Sequence, residues 1–320
     1  MKLRLSRQHY PLAATVAVCL LLYVAAGWRY SGFFSAAVFL NFFTDNAFLG
    51  VAAIGMTFVI LSSGIDLSVG AVVGCVSIAS AMLIERGQWH PLAVIPLMLL
   101  LGTLFGAGTG CLIRFFELPP FLVTLAGLFL CRGLGLLISE ESISINHPLF
   151  QTASAWGLTL GGATLTGVAA LFAVALAVAM YVSIFTRFGR NVYALGGNEQ
   201  SALLMGLPVG ATKIGIYAVS GFCSALAGIV YTLYTSSGNA NAATGLELDA
   251  IAAVVVGGTL LSGGVGYLAG TLIGVLIFGI IQTGITFQGT LSSWWTKIAV
   301  GALLLLFITL QKLLQKRAGR

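Results

Sequence analysis

Apolar runs of about twenty residues follow one another along this chain, and almost nothing charged interrupts them. A helix needs about 20 mostly apolar residues to cross a bilayer. Such runs lie at about 10–28, 45–63, 67–84, 92–113, 119–138, 163–185, 213–235, 247–263, 266–287 and 295–311. They predict an all-α, polytopic membrane protein of about ten transmembrane helices, some of them short or broken. The Gly-rich 247–263 run is the short one. Only 8 % of the 320 residues are Asp, Glu, Lys or Arg, against roughly 25 % in a soluble domain. So few charges cannot cover a soluble exterior, which excludes a soluble enzyme and a disordered chain.

The basic residues orient the path. With the N-terminus in the cytoplasm, Lys2, Arg4, Arg7, Arg114, Arg187, Arg190, Lys213, Lys312, Lys316, Arg317 and Arg320 fall on the cytoplasmic side. Arg29, Arg86 and Lys297 fall on the other. This obeys the positive-inside rule, so both termini are expected to be cytoplasmic. Clusters that flank apolar runs also argue against a nucleic-acid partner; the partner they indicate is the lipid bilayer. A basic start and Ala25-Ala26-Gly27 leave a cleaved signal peptide as the competing reading of the first run, which is long for one. No connection is large enough to fold alone, so 1–320 reads as a single transmembrane domain. Cys19, Cys75, Cys111, Cys131 and Cys223 lie inside apolar segments and read as small fillers.

The chain has no G-x-x-x-x-G-K-[ST] loop to cradle a nucleotide's phosphates. His9, His90 and His147 are far apart in sequence, so no metal site is suggested. Nothing pairs a nucleophile with a base, and no cofactor is expected. Asp66 precedes an apolar run and reads as a helix N-cap or a gating carboxylate. Glu247 and Asp249 open a later run in the same way. Arg132 sits mid-run, where charge is costly. It reads either as functional or as a structural partner of Glu140 or Glu141. Lys297, after Trp294-Trp295, reads as an interfacial anchor.

Ion-driven carriers need intramembrane ionisable groups, which are scarce here, so the energy is expected from outside the chain. The neutral hydrogen-bonding groups Asn46, Thr57, Ser220, Ser224, Gln282 and Thr283, with Asp66 and Arg132, are the candidate translocation-path residues. They suit a neutral, hydroxyl-rich solute, or bond only across helices. Glycines at 102/106/110, 70/74 and 266/270/274 are spaced for close helix crossing. Residues 61–74 (LSSGIDLSVGAVVG) echo 261–274 (LSGGVGYLAGTLIG) at an offset of 200. That echo reads as chance between Gly-rich helices or as a parallel structural repeat.

Several stretches resemble the membrane permeases of bacterial ABC sugar importers, in the ribose/xylose/galactose group. They are 55–70 (GMTFVILSSGIDLSVG), 120–127 (PFLVTLAG) with Arg132-Gly133, 186–189 (TRFG), 196–199 (GGNE) and 252–266 (AAVVVGGTLLSGGVG). Residues 139–148 (SEESISINHP) and 289–298 (GTLSSWWTKI) look more narrowly like one of the two permeases of the galactofuranose importer. The resemblance implies an inner-membrane pathway subunit without enzymatic activity. It also implies a second, related permease, a separate cytoplasmic ABC ATPase and a periplasmic sugar-binding protein as partners. The 186–212 connection would be the cytoplasmic coupling loop, with Gly196, Gly197, Asn198, Glu199, Ser201 and Ala202 as its ATPase-coupling residues. On the residues alone, 198–206 fits a short helix capped by Asn198. Segments near 139–160 and 236–246 would face the binding protein. The alternative function is a stand-alone secondary carrier or channel for a neutral polar solute.

Overall fold

The computed structural model describes residues 10–160, 162–292 and 294–318; Lys2, Arg4, Arg7, His9 and Arg320 lie outside them. Helices α1 (Tyr10–Arg29), α2 (Ala36–Asp45) and α3 (Ala47–Leu61) come first. They are followed by α4 (Val69–Ala81, extended by a π-turn, Met82–Arg86), α5 (Pro91–Phe115) and α6 (Pro120–Ile138). Next come α7 (Pro148–Ala155), α8 (Gly167–Phe185), α9 (Arg187–Gly197), α10 (Glu199–Leu204) and α11 (Val209–Thr235). The chain closes with α12 (Leu246–Val256), α13 (Leu268–Gln288) and α14 (Trp294–Ala318).

Seven helices are long and apolar enough to cross a membrane, or eight if the bent pair α2/α3 counts as one span. The expected ten is reduced for two reasons. Helix α12 has only 11 residues before the chain leaves helical form at Gly257, and the apolar part of α14 is short, Trp294–Thr309. The expected 45–63 span begins earlier, because α2 and α3 meet at Asn46 with a 56° bend. There the Asn46 amide donates to the Phe42 carbonyl at 3.0 Å, satisfying an acceptor that the broken helix leaves behind.

Two small ribbons qualify the all-α expectation. Strands β1 (Ile143–Ser144) and β4 (Ser237–Gly238) pair antiparallel, as do β2 (Gly157–Leu160) and β3 (Ala163–Thr166). The first joins the 139–147 connection to the segment after α11, two regions that are remote in sequence. The run expected to start a helix at 163 therefore starts with β3.

The packing has a lipid-adapted plan. Helix α3 is apolar on all sides and buried almost end to end, as a central helix should be. Helices α11 and α12 flank it, with α8 and α13 beside them, and α5 crosses α11 over a long contact. The glycines Gly102, Gly106 and Gly110 lie at this crossing, and a Cβ on Gly106 would stand 2.1 Å from the Tyr217 carbonyl oxygen. Large side chains such as Leu21, Leu104, Phe129, Val174 and Leu305 point outward, where lipid tails replace water. Helix α1 packs along α13. Its Thr15 hydroxyl donates to the Val256 carbonyl at 2.6 Å, which ties the first run to the end of α12.

The two segments that echo at offset 200 each run helix, turn, helix. Helix α3, the 62–68 turn and α4 form one; α12, the 257–267 turn and α13 form the other. The two turns bond to each other, so both segments point the same way. Gly266 belongs to the second turn (φ +159°) and not to a helix face, so only Gly270 and Gly274 pack α13 on α12. The Gly70/Gly74 pair makes room for the non-helical chain at Ala240–Ala243 rather than for a helix.

Candidate functional site

One end of the bundle is organised around the turns after α3 and α12. The Gly264 N–H donates to the Leu61 carbonyl at 2.8 Å. The Ser63 hydroxyl donates to the Ser262 carbonyl at 2.7 Å, with the Gly196 carbonyl 3.3 Å away. Gly196 closes α9 against both turns: a Cβ there would stand 1.7 Å from the Leu61 oxygen, whereas one on Gly197 would meet nothing. The Tyr193 hydroxyl donates to the Gly266 carbonyl at 2.9 Å. Burial, with Tyr267 beside it, raises the Tyr193 phenol above its ordinary value, so it stays a protonated donor.

The expected coupling residues are together here. The connection over 186–212 is two helices, α9 and α10, rather than a loop. The Asn198 side chain caps α10, accepting the Ser201 N–H at 2.7 Å, and buried Ala202 seats the helix. Glu199 pairs with Lys213 of α11 at 2.6 Å, both partly exposed. Leu203, Leu204 and Met205 project outward at 61 %, 88 % and 68 % exposure. A cleft of about 550 Å3 beside them is lined by Ser63, Arg114, Glu117, Glu199, Lys213 and Tyr217.

Asp66 is 3 % exposed at this end. One carboxylate oxygen accepts the Ser68 N–H (3.0 Å) and hydroxyl (2.6 Å), and the other accepts the Ser220 hydroxyl at 2.7 Å. The capping expectation is corrected in one respect. Ser68 holds the N-cap position of α4 without a side-chain cap bond, and Asp66 reaches it from two residues upstream. Ser224 bonds only the Ser220 carbonyl, inside α11.

Of the remaining path candidates, all but Thr57 lie toward the opposite end. Arg132 does not pair with Glu140 or Glu141. Its guanidinium donates to the carbonyls of Ala240 (2.5 Å) and Ala242 (3.0 Å), packed on Gly74. Glu247 sits in the first turn of α12, where its carboxyl bonds backbone at the helix start; its Oε2 lies against Gly70 with no partner among the described residues. Lys297 is not a lone interfacial anchor: it pairs with Asp249 at 2.5 Å. Thr57 is fully buried and bonded to Thr271 at 2.8 Å, which ties α3 to α13. Asn46 and Gln282 line a cavity of about 500 Å3 with Asp45, Tyr231, Tyr234 and Lys297. Thr283, one residue along α13, lines neither this cavity nor the cleft at the other end.

Sequence reasoning missed Asp45, Tyr231, Tyr234 and the Asp249–Lys297 pair as members of one cavity, since four helices supply them. It also missed that the His90 and His147 rings meet edge to face at 5.6 Å. Among the described residues, no group of three or more His, Cys, Asp or Glu could hold a metal ion.

Residues 38–308 match the family described as branched-chain amino acid transport system / permease component. The chain belongs to that family of permeases. It is 50 % identical over 308 residues to the inner membrane ABC transporter permease protein YjfF of Escherichia coli K12, covering 96 % of this chain and 93 % of that one. It is 36 % identical to the fructose import permease protein FruG of Bifidobacterium longum, over 99 % of this chain and 94 % of the relative. The ribose import permease protein RbsC of Escherichia coli K12 is 36 % identical, with 86 % of each chain covered. No solved structure matches. With its apolar helices and this family membership, the permease is a multi-pass protein of the inner membrane.

Proposed function

We propose that this permease is the pathway subunit of an ATP-driven importer for a monosaccharide, with galactofuranose the sugar its 139–148 and 289–298 stretches resemble. Relatives named for fructose and ribose import support the sugar class. The absence of a nucleotide-phosphate loop supports a separate ATPase. A second, related permease and a periplasmic binding protein complete the assembly.

The observation that carries this reading is α10. A six-residue helix with a capped start, together with Met205 just after it, presents three bare apolar side chains beside charged residues. In water such a patch favours a protein partner. Its backbone seat, through Gly196, is on the turns of both segments, so a push on α10 reaches α3 and α12 directly. In this reading α10 is the ATPase-facing element, and Asn198, Glu199, Ser201 and Ala202 hold its shape. Its end, with Arg114, Arg187, Arg190 and Lys213, faces the cytoplasm. Helix α12 with its extended turn, and α14, then complete ten crossings and bring both termini to that side. The β1/β4 ribbon faces the binding protein.

The test is co-purification of the full importer carrying Leu204→Arg. We expect loss of the bound ATPase with the permease still in the membrane. A Leu204→Arg importer that retains its ATPase and full sugar-stimulated hydrolysis would overturn the assignment.

A further inference from the structure

The 500 Å3 cavity at the end opposite α10 is a chemically specific place. Three things converge there. First, Tyr231 and Phe48 meet edge to face at 5.4 Å, and with Tyr234 they give the wall an aromatic side. Second, hydrogen-bonding capacity is left over. Asn46 uses its amide N–H on Phe42 and keeps its oxygen. The Gln282 side-chain amide and the Tyr231 hydroxyl make no hydrogen bond to the described residues, although all three residues line the cavity. Third, the charge is unbalanced. Among the described residues Asp45 accepts only the Tyr234 hydroxyl at 3.1 Å, and Asp249 takes Lys297 at 2.5 Å. Two carboxylates against one ammonium leave one negative charge in excess.

A second cavity of about 420 Å3 adjoins the first, sharing Phe48, Tyr231, Leu246 and Asp249, and reaches Asn239, Asn241 and Thr244 in the segment after β4. Spare amide and carboxylate oxygens accept hydroxyl protons, while amide and phenol groups donate to hydroxyl oxygens. An aromatic wall covers the apolar C–H face of a ring. A volume of this size falls in the range of about 300–1,000 Å3 that suits a small ligand.

We propose that this vestibule is a transit site for a neutral monosaccharide, and that Asp45 with Asp249 makes it reject sugar acids and sugar phosphates. The inference deepens the importer reading and rests on it for the sugar's direction of travel. Tyr231, Gln282 and Asn46 contact hydroxyls, and Asp45 sets the charge preference. Helix α3 then separates the site from the α10 end by about 22 Å, at 1.5 Å rise over its 15 residues.

The experiment is saturation-transfer NMR on the full chain in nanodiscs, with D-galactose, D-ribose and D-galacturonate as probes. Both neutral sugars are expected to receive saturation on their ring protons, and D-galacturonate at least tenfold less. Tyr231→Phe and Gln282→Ala should each weaken the D-galactose signal about three- to tenfold. Asp45→Asn should narrow the gap to D-galacturonate. Wild-type protein alone decides the matter if a variant fails to fold. No transfer from either neutral sugar, or equal transfer from D-galacturonate, overturns the site. So does a folded Tyr231→Phe/Gln282→Ala protein with unchanged signal. A silent vestibule in a chain whose Leu204→Arg importer still loses its ATPase would remove this site and leave the importer reading standing. Sugar contact with unaffected ATPase binding would do the reverse.

Discussion

The Leu61 carbonyl accepts the Gly264 N–H at 2.8 Å, joining the turns of the two helix–turn–helix segments. Gly196 is pressed on the same oxygen. Three segments remote in sequence therefore meet at one backbone acceptor, directly behind α10. A rigid seat of this kind passes displacement on, because packed backbones do not compress.

Gly196→Ala places a methyl carbon at 1.7 Å from that oxygen, so α9 must back away from both turns. Overpacking of this kind costs roughly 1–3 kcal/mol. We expect a lower Tm in detergent and reduced sugar-stimulated ATP hydrolysis in the importer. Gly197→Ala, with open space around it, should leave both unchanged. Equal effects from the two would show that the seat is not what holds α9.

Asn198→Ala removes the α10 cap and should cost about 0.5–2 kcal/mol. Glu199→Ala breaks a partly exposed pair with Lys213, and such pairs are worth roughly 0.2–1 kcal/mol. The order of damage to ATPase coupling is then Asn198→Ala above Glu199→Ala, read from hydrolysis rates in reconstituted complexes. The reverse order would make charge, not helix shape, the coupling feature.

Asp66→Ala strands three donors, the Ser68 N–H and hydroxyl and the Ser220 hydroxyl. Hydrogen bonds to a charged group contribute about 1.5–3 kcal/mol each way of counting. Ser220→Ala removes one of these and should cost less. A double-mutant cycle on thermal stability should show Asp66 and Ser220 coupled by at least about 0.5 kcal/mol. Simple additivity would deny that the bond matters.

Arg132→Gln withdraws the guanidinium from the Ala240 and Ala242 carbonyls. A buried acceptor left without its donor costs about 1–3 kcal/mol. The 239–245 segment should become open to protease while the helices stay intact. Arg132→Lys should not rescue it, since one ammonium cannot present the same planar donor fork. Unaltered cleavage kinetics in Arg132→Gln would refute the tie.

Gly106 and Gly108 are neighbours on α5 with opposite expectations. Gly106→Ala drives a methyl to 2.1 Å from the Tyr217 carbonyl and should part α5 from α11. Gly108 meets nothing within 4 Å. Alanine there should be neutral or stabilise the helix by up to about 1 kcal/mol. Thermal unfolding of the two variants distinguishes a packing glycine from an incidental one.

Much of this was legible from residue order alone. Apolar runs set the helices, because a bilayer demands a fixed length of apolar chain and internal satisfaction of every backbone group. The spacing of Gly102, Gly106 and Gly110 announced a close crossing, and Asn198 announced a helix start. These are local patterns governed by helix geometry, so a one-dimensional reading captures them. What it could not supply is where irregular backbone stops and what lies across from it. Helix α12 ends after 11 residues, where Gly258 takes a left-handed φ of +93° that ordinary residues avoid. Arg132 found carbonyls instead of Glu140, and Lys297 found Asp249. Asp45, Asn46, Tyr231 and Gln282 share a cavity only because four helices converge. Partner choice between remote segments depends on packing of the whole bundle, and no local period encodes it.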